Sequence, residues 1–129
     1  MNSHRVLAFI LVFLGGGLGS MLRHAVNERG LWGVDYPWNT VFVNIAGSLL
    51  MGLIAGWFAL RGHGGQMSRL FLTTGVLGGF TTFSTFSLDA SLLLERGQTW
   101  GGLAYIVGSV GAGMVALFAG LAIMRSLLS

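Results

Sequence analysis

The stretch Gly97–Met124, GQTWGGLAYIVGSVGAGMVALFAGLAIM, carries no charged residue from end to end. A helix needs roughly 20 mainly apolar residues to cross a hydrocarbon core of about 30 Å, and this run exceeds that length. Three further runs repeat the pattern: Val6–Leu22, Tyr36–Leu60 and Leu70–Leu88 are also free of charge. Barrel strands would be shorter and would alternate polar with apolar residues, and no such alternation persists here. Backbone groups in lipid must be satisfied within the segment that carries them. The four runs therefore predict an all-α membrane protein with four transmembrane helices, over residues 5–27, 38–60, 68–94 and 100–127. Residues 1–129 read as one unit with no room for a soluble domain.

Composition agrees with this reading. The 129-residue chain is 53% hydrophobic and 9% charged, where a soluble domain carries about a quarter charged residues. It has no cysteine, which excludes disulfides, thiolate metal sites and cysteine nucleophiles. The net charge of +3 is seven arginines against four acids, and the chain contains no lysine. These arginines fall at span ends, where guanidinium groups reach lipid phosphates, so the basic balance points to membrane lipid and not to nucleic acid. The N-terminal run after Arg5 has the look of a leader peptide, but three more spans follow and no small-x-small cleavage site is evident, so it is kept as a span. Between the first two spans, Gly30, Gly33 and Pro37 make a loop, with Pro37 placed to open the second helix. Trp32, Tyr36 and Trp38 cluster there, and Trp57 and Trp100 mark other span ends, as an aromatic belt would. Gly97 suits a C-cap for the third helix.

Two features point to assembly. With four spans, Arg5, Arg61, Arg69 and Arg125 share one side of the membrane and Arg23, Arg29 and Arg96 the other. Four against three gives almost no instruction for orientation, so the expectation is insertion both ways and an antiparallel homodimer. The 22 glycines also form stripes: Ala104, Gly108, Ala112, Ala116 and Gly120 in the fourth helix, Ser48, Gly52 and Gly56 in the second, Gly15 and Gly19 in the first. Small residues at this spacing let helix backbones approach closely, which is how helices associate where lipid offers no hydrophobic gain.

Enzyme motifs are missing. His4, His24 and His63 are scattered at span ends without metal-like spacing. The run GGGLGS (Gly15–Ser20) superficially resembles a phosphate loop, but it lies in an apolar span and no lysine follows. Glu28, Asp35 and Glu95 sit at or beyond span ends; Asp89, a turn or two inside the third helix, is the partial exception. Uncharged polar residues are the stronger clue. Asn44 lies about two turns into the second helix, on the stripe of Ser48, Gly52 and Gly56. A buried Asn in lipid needs partners, either in a bond that glues helices together or along a polar path. The third span reads TTGVLGGFTTFSTFS over Thr73–Ser87. The pair Gly78-Gly79 followed by two threonines predicts a break in the helix at mid-membrane, freeing backbone carbonyls. Phe80, Phe83 and Phe86 recur every three residues. Packing explains such rings, and so does an inward ring edge with partial positive charge beside an anion.

The segment Gly75–Ser87 (GVLGGFTTFSTFS), with Gly15–Arg23 (GGGLGSMLR) and Thr40–Gly47 (TVFVNIAG), closely resembles the CrcB/Fluc family of fluoride channels, and the resemblance covers essentially the whole chain. It implies a multi-pass protein of the inner or plasma membrane, a dual-topology homodimer with two pores, that exports fluoride passively and protects the cell from its toxicity. Carried over by motif, Asn44 would donate a hydrogen bond to the anion, and Phe83 and Phe86 would present their ring edges to it. Thr82, Ser84 and Thr85 would supply hydroxyls, Tyr105 and Ser109 would extend a polar track, and Arg23 would raise the anion concentration in the vestibule. The carbonyls of Gly78 and Thr81 would hold a structural sodium ion (Na+) on the two-fold axis. Asp89 departs from the glutamate common at its position in relatives.

Two other readings compete. A small four-span proton-coupled transporter needs a carboxylate deep in its first span, and Val6–Leu22 has none. A non-transporting membrane helper protein would use the glycine stripes to bind a larger complex, but it leaves the threonine and phenylalanine cluster without a purpose.

Overall fold

A computed structural model describes residues 1–30, 35–62 and 65–129. Trp32, Gly33 and His63 lie outside the described residues. Within them the chain is helical, with no strand. Helix α1 is Ser3–Arg29, α2 is Trp38–Arg61 and α6 is Thr99–Leu128, and these three are long and apolar enough to cross a membrane. Between them runs a chain of shorter pieces: α3 (Gln66–Leu70), a π-helical stretch Phe71–Leu77, α4 (Gly78–Phe80) and α5 (Phe83–Glu95). The segment expected as one span over residues 68–94 is thus assembled from four pieces.

Helix ends are set by local chemistry. The Asn2 side chain accepts from the Arg5 amide at 3.0 Å and opens α1. Pro37 precedes α2 directly. Gly30, Gly62 and Gly97 all have positive φ at helix ends. At Gly97 (φ 78°) the amide donates to the Leu94 carbonyl at 3.1 Å and the Gln98 amide to Leu93 at 3.0 Å, the paired bonds that close a helix through a left-handed residue.

Packing follows the small residues. Helices α2 and α6 touch backbone to backbone: a Cβ on Gly52 would collide with the Leu117 carbonyl oxygen, and one on Gly120 with the Leu49 carbonyl oxygen. Helix α1 meets the π-helical stretch and α4 in the same way. A Cβ on Gly15 would fall 2.9 Å from the Gly75 Cα, and one on Gly79 would strike the Gly16 carbonyl oxygen. Not every stripe residue is used within the chain. An added Cβ at Gly108 meets nothing, and Ala104 and Ala112 on the same face of α6 are exposed. A compact core forms where α5 crosses α6, with Leu93 and Tyr105 almost fully buried and Ala90 beside them. Elsewhere large apolar side chains point outward, Phe13 (78% exposed), Val107 and Phe118 among them. That surface is suited to lipid and would be an aggregation liability in water.

Candidate functional site

The helical run ends at Phe80, and Thr81 and Thr82 are extended (ψ 159° and 120°) before α5 begins at Phe83. The sequence placed this break at Gly78-Gly79, but both glycines are helical. Gly79 stays in the helix because its missing side chain is what lets α4 lie on the α1 backbone at Gly16. The break moves to the threonines, where side chains can satisfy the released backbone. Thr82 Oγ1 accepts from the Thr85 amide at 3.1 Å and caps α5. The Asn44 amide, reaching across from α2, clasps the Thr82 peptide groups at two points: Nδ2 donates to the Thr82 carbonyl at 3.0 Å and Oδ1 accepts from the Thr82 amide at 2.8 Å. Ser48 Oγ donates to the Asn44 carbonyl at 2.7 Å. Asn44 is therefore first a bond between helices. Its amide carries two N–H groups, and one of them serves Thr82.

These bonds leave two carbonyls without their usual donors. The amide that would bond Gly78 one turn on belongs to Thr82 and goes to Asn44. The amide that would bond Thr81 belongs to Thr85 and goes to the Thr82 hydroxyl. Both acceptors are neutral oxygens, which suit a hard cation. Among the described residues no cluster of His, Cys, Asp or Glu could hold a metal ion.

Beside the break lies a cleft of about 300 Å³, whose lining among the described residues includes Asn44, Ser48, Thr82, Phe83, Phe86 and Ser109 and no charged residue. The Phe83 and Phe86 centroids are 5.7 Å apart, and Phe83 is 79% exposed. Ser109 Oγ is buried and has no hydrogen-bond partner among the described residues. The structure thus brings Asn44, Thr82, Phe83, Phe86 and Ser109 together, with Thr81 at the same cleft.

The other expected residues are placed elsewhere. Ser84 is exposed, its Oγ 3.4 Å from Thr82 Oγ1. Thr85 lines a second, more polar cleft of about 620 Å³ with Asn39, Thr40, Asp89 and Arg96. Tyr105 is fully buried, stacks on Phe86 at 5.3 Å, and donates to Asp89 Oδ2 at 3.2 Å. Arg23 lies on α1, one turn beyond Gly19, and does not line the central cleft. Outside the helices, Tyr36 donates its hydroxyl to the Gly101 carbonyl at 3.0 Å, and partial burial raises its phenol above the ordinary range. Sequence reasoning passed over Thr40, whose hydroxyl donates to the same Asp89 oxygen at 2.8 Å. The signal was Asp89 itself, since a carboxylate inside an apolar segment has to find donors.

The model of the CrcB-like protein family, described as Camphor Resistance (CrcB), matches residues 10–121. The chain belongs to the CrcB family. Among its relatives is a protein of Rhodopseudomonas palustris (strain BisB5) that is 53% identical over 94% of this chain and 99% of its own length. Others come from Methylobacterium nodulans, 54% identical over 93% of this chain and 98% of the relative, and Rhizobium meliloti, 54% identical over 92% and 96%. All three are named fluoride-specific ion channel FluC.

Proposed function

We propose that this chain is the subunit of a fluoride-selective channel that passes fluoride out of the cell passively and so protects against its toxicity. Membership of the CrcB family, with relatives about half identical along nearly their whole length and named for fluoride, carries the reading. The protein resides in the cell membrane and crosses it several times.

The central cleft supplies suitable chemistry. Fluoride is small and strongly hydrated, so a path must replace water with hydrogen-bond donors and positive ring edges. The remaining amide hydrogen of Asn44, the unpartnered Ser109 hydroxyl and the edges of Phe83 and Phe86 are candidates for that replacement. The absence of a cation from this lining favours conduction over trapping, because a conducting site must release the ion as well as bind it. Thr82 fixes the geometry of the break; Ser84, Thr85 and Tyr105 flank the path, with Arg23 drawing anions toward a mouth.

Our reading extends to a four-span subunit whose third span is the interrupted run from α3 to α5. Two subunits pair antiparallel, and the unused small face of α6 at Ala104, Gly108 and Ala112 supports close contact between copies. A sodium ion at the centre, held by the carbonyls of Gly78 and Thr81 from both subunits, would occupy acceptors that the break leaves open.

The test is efflux from liposomes holding purified protein, read with fluoride and chloride electrodes, for wild type and Phe83→Ile. Phe83 is largely exposed on the single chain, so its replacement leaves the packing of that chain intact. Expected are fast fluoride loss without chloride loss from wild type, and no fluoride loss from a Phe83→Ile variant that remains dimeric. A folded wild-type dimer that retains its fluoride would sink the channel reading.

A further inference from the structure

The face of α2 that lines the central cleft does not stop there. Asn44, Ser48 and Met51 line that cleft, and Met51, Ala55 and Phe58 continue the same stripe at spacings of three and four residues into another cleft of about 530 Å³. From Asn44 to Phe58 the stripe covers about 20 Å of helix at 1.5 Å per residue. The opposite wall of this outer cleft comes from the start of the interrupted run, through Gln66, Arg69, Thr73 and Thr74. Its polar groups are an amide, two hydroxyls and one guanidinium, and no carboxylate lines it. Arg69 is exposed, and among the described residues no ion pair holds it. The Thr73 hydroxyl is turned to the Arg69 carbonyl at 2.8 Å and leaves the guanidinium aside.

We propose that this outer cleft is a mouth of the anion path, with Met51 separating it from the central cleft and Arg69 steering anions into it; the proposal rests on the channel reading above. A cationic group in a cleft with low-dielectric walls and no opposing carboxylate raises the local concentration of anions and their rate of arrival. It does so without lining the narrow region beside the phenylalanines, where a fixed cation would hold the ion back. Arg69 thus acts at a distance from the central cleft, as a positioning residue for approach.

Steering has a signature that structural damage lacks. A surface charge acts over about 30 Å at 0.01 M ionic strength but only about 3 Å at 1 M. Fluoride efflux from liposomes is measured across that range, set with an impermeant salt, for wild type, Arg69→Gln, Arg69→Lys and the double variant Arg69→Gln/Ala59→Arg. Ala59 is exposed and lines the same cleft, so an arginine there returns the charge by another route. Expected is a several-fold slowing of Arg69→Gln at low ionic strength that vanishes at high, with Arg69→Lys and the double variant near the wild-type rate throughout. Equal rates for Arg69→Gln and wild type at low ionic strength overturn the proposal, and so does a loss of the same size at every ionic strength. Failure of the channel reading is a separate result: wild type itself would release no fluoride.

Discussion

Asn44 holds the site together before it does anything else. Its amide satisfies both the N–H and the C=O of Thr82, at 2.8 and 3.0 Å, where the run between α4 and α5 lets go of its own helical bonds. A hydrogen bond contributes about 1 kcal/mol net, while a buried group left unsatisfied costs about 1–3 kcal/mol. Asn44→Ala removes two such bonds and leaves a peptide unpaired, so it is expected to lower stability by about 2–4 kcal/mol and to abolish fluoride efflux. Thermal melting in detergent beside the liposome assay checks both parts; an unchanged melting temperature would mean that the clasp contributes nothing. The sequence allowed two roles for this residue, a bond between helices or a lining for a path. Spacing alone could not choose, because one side-chain amide has enough donors for both. Asp89 was legible only as an acid a turn or two inside the third helix, since its donors Thr40 and Tyr105 come to it from separate helices.

At the scale of elements, glycine was easier to count than to interpret. Gly78-Gly79 reads as a weak point in a helix, because glycine costs about 1 kcal/mol there against alanine. Between packed membrane helices the same residue is worth more as the absence of a side chain, and α4 keeps both glycines helical, with Gly79 lying on the α1 backbone at Gly16. The break fell instead at threonines able to cap the next helix, and Thr82 with Thr85 three residues later was the local signal for it. The π-helical stretch Phe71–Leu77 left no such mark, and its Gly75 meets Gly15 only across space. The all-helical class and the three long helices were plain from the uncharged runs, because lipid enforces that pattern residue by residue. The two kinds of glycine predict opposite outcomes for one substitution. Gly52→Ala drives a methyl into the Leu117 carbonyl and is expected to cost about 3 kcal/mol by forcing α2 from α6. Gly17→Ala meets nothing within 4 Å and is expected to gain about 0.5–1 kcal/mol from helix propensity. Melting of the two variants side by side checks the contrast, and equal shifts would remove the packing argument.

For the whole molecule, orientation is decided by very little. Lipid dictates that the long helices cross, yet it does not say which end faces the cytoplasm; that depends on the arginine balance between the two sides. If the run from α3 to α5 is the third crossing, Arg5, Arg61, Arg69 and Arg125 oppose Arg23, Arg29 and Arg96, and the bias is a single charge. So small a bias is what the proposed insertion both ways requires, and antiparallel pairing would then need no second gene product. The chain offers a clean way to see this, because it has no cysteine of its own. A Ser129→Cys variant, treated in intact cells with a membrane-impermeant maleimide, should label in roughly half of its chains, the remainder reacting only after lysis. Adding two arginines beside Arg125 should then drive that terminus to the cytoplasmic side and leave little to label from outside. Such a variant, locked in one orientation, should also lose fluoride efflux unless it is made together with a partner locked in the other. Labelling of all chains or of none in the unmodified background would mean that one charge is enough to orient the protein, and pairing would have to be parallel.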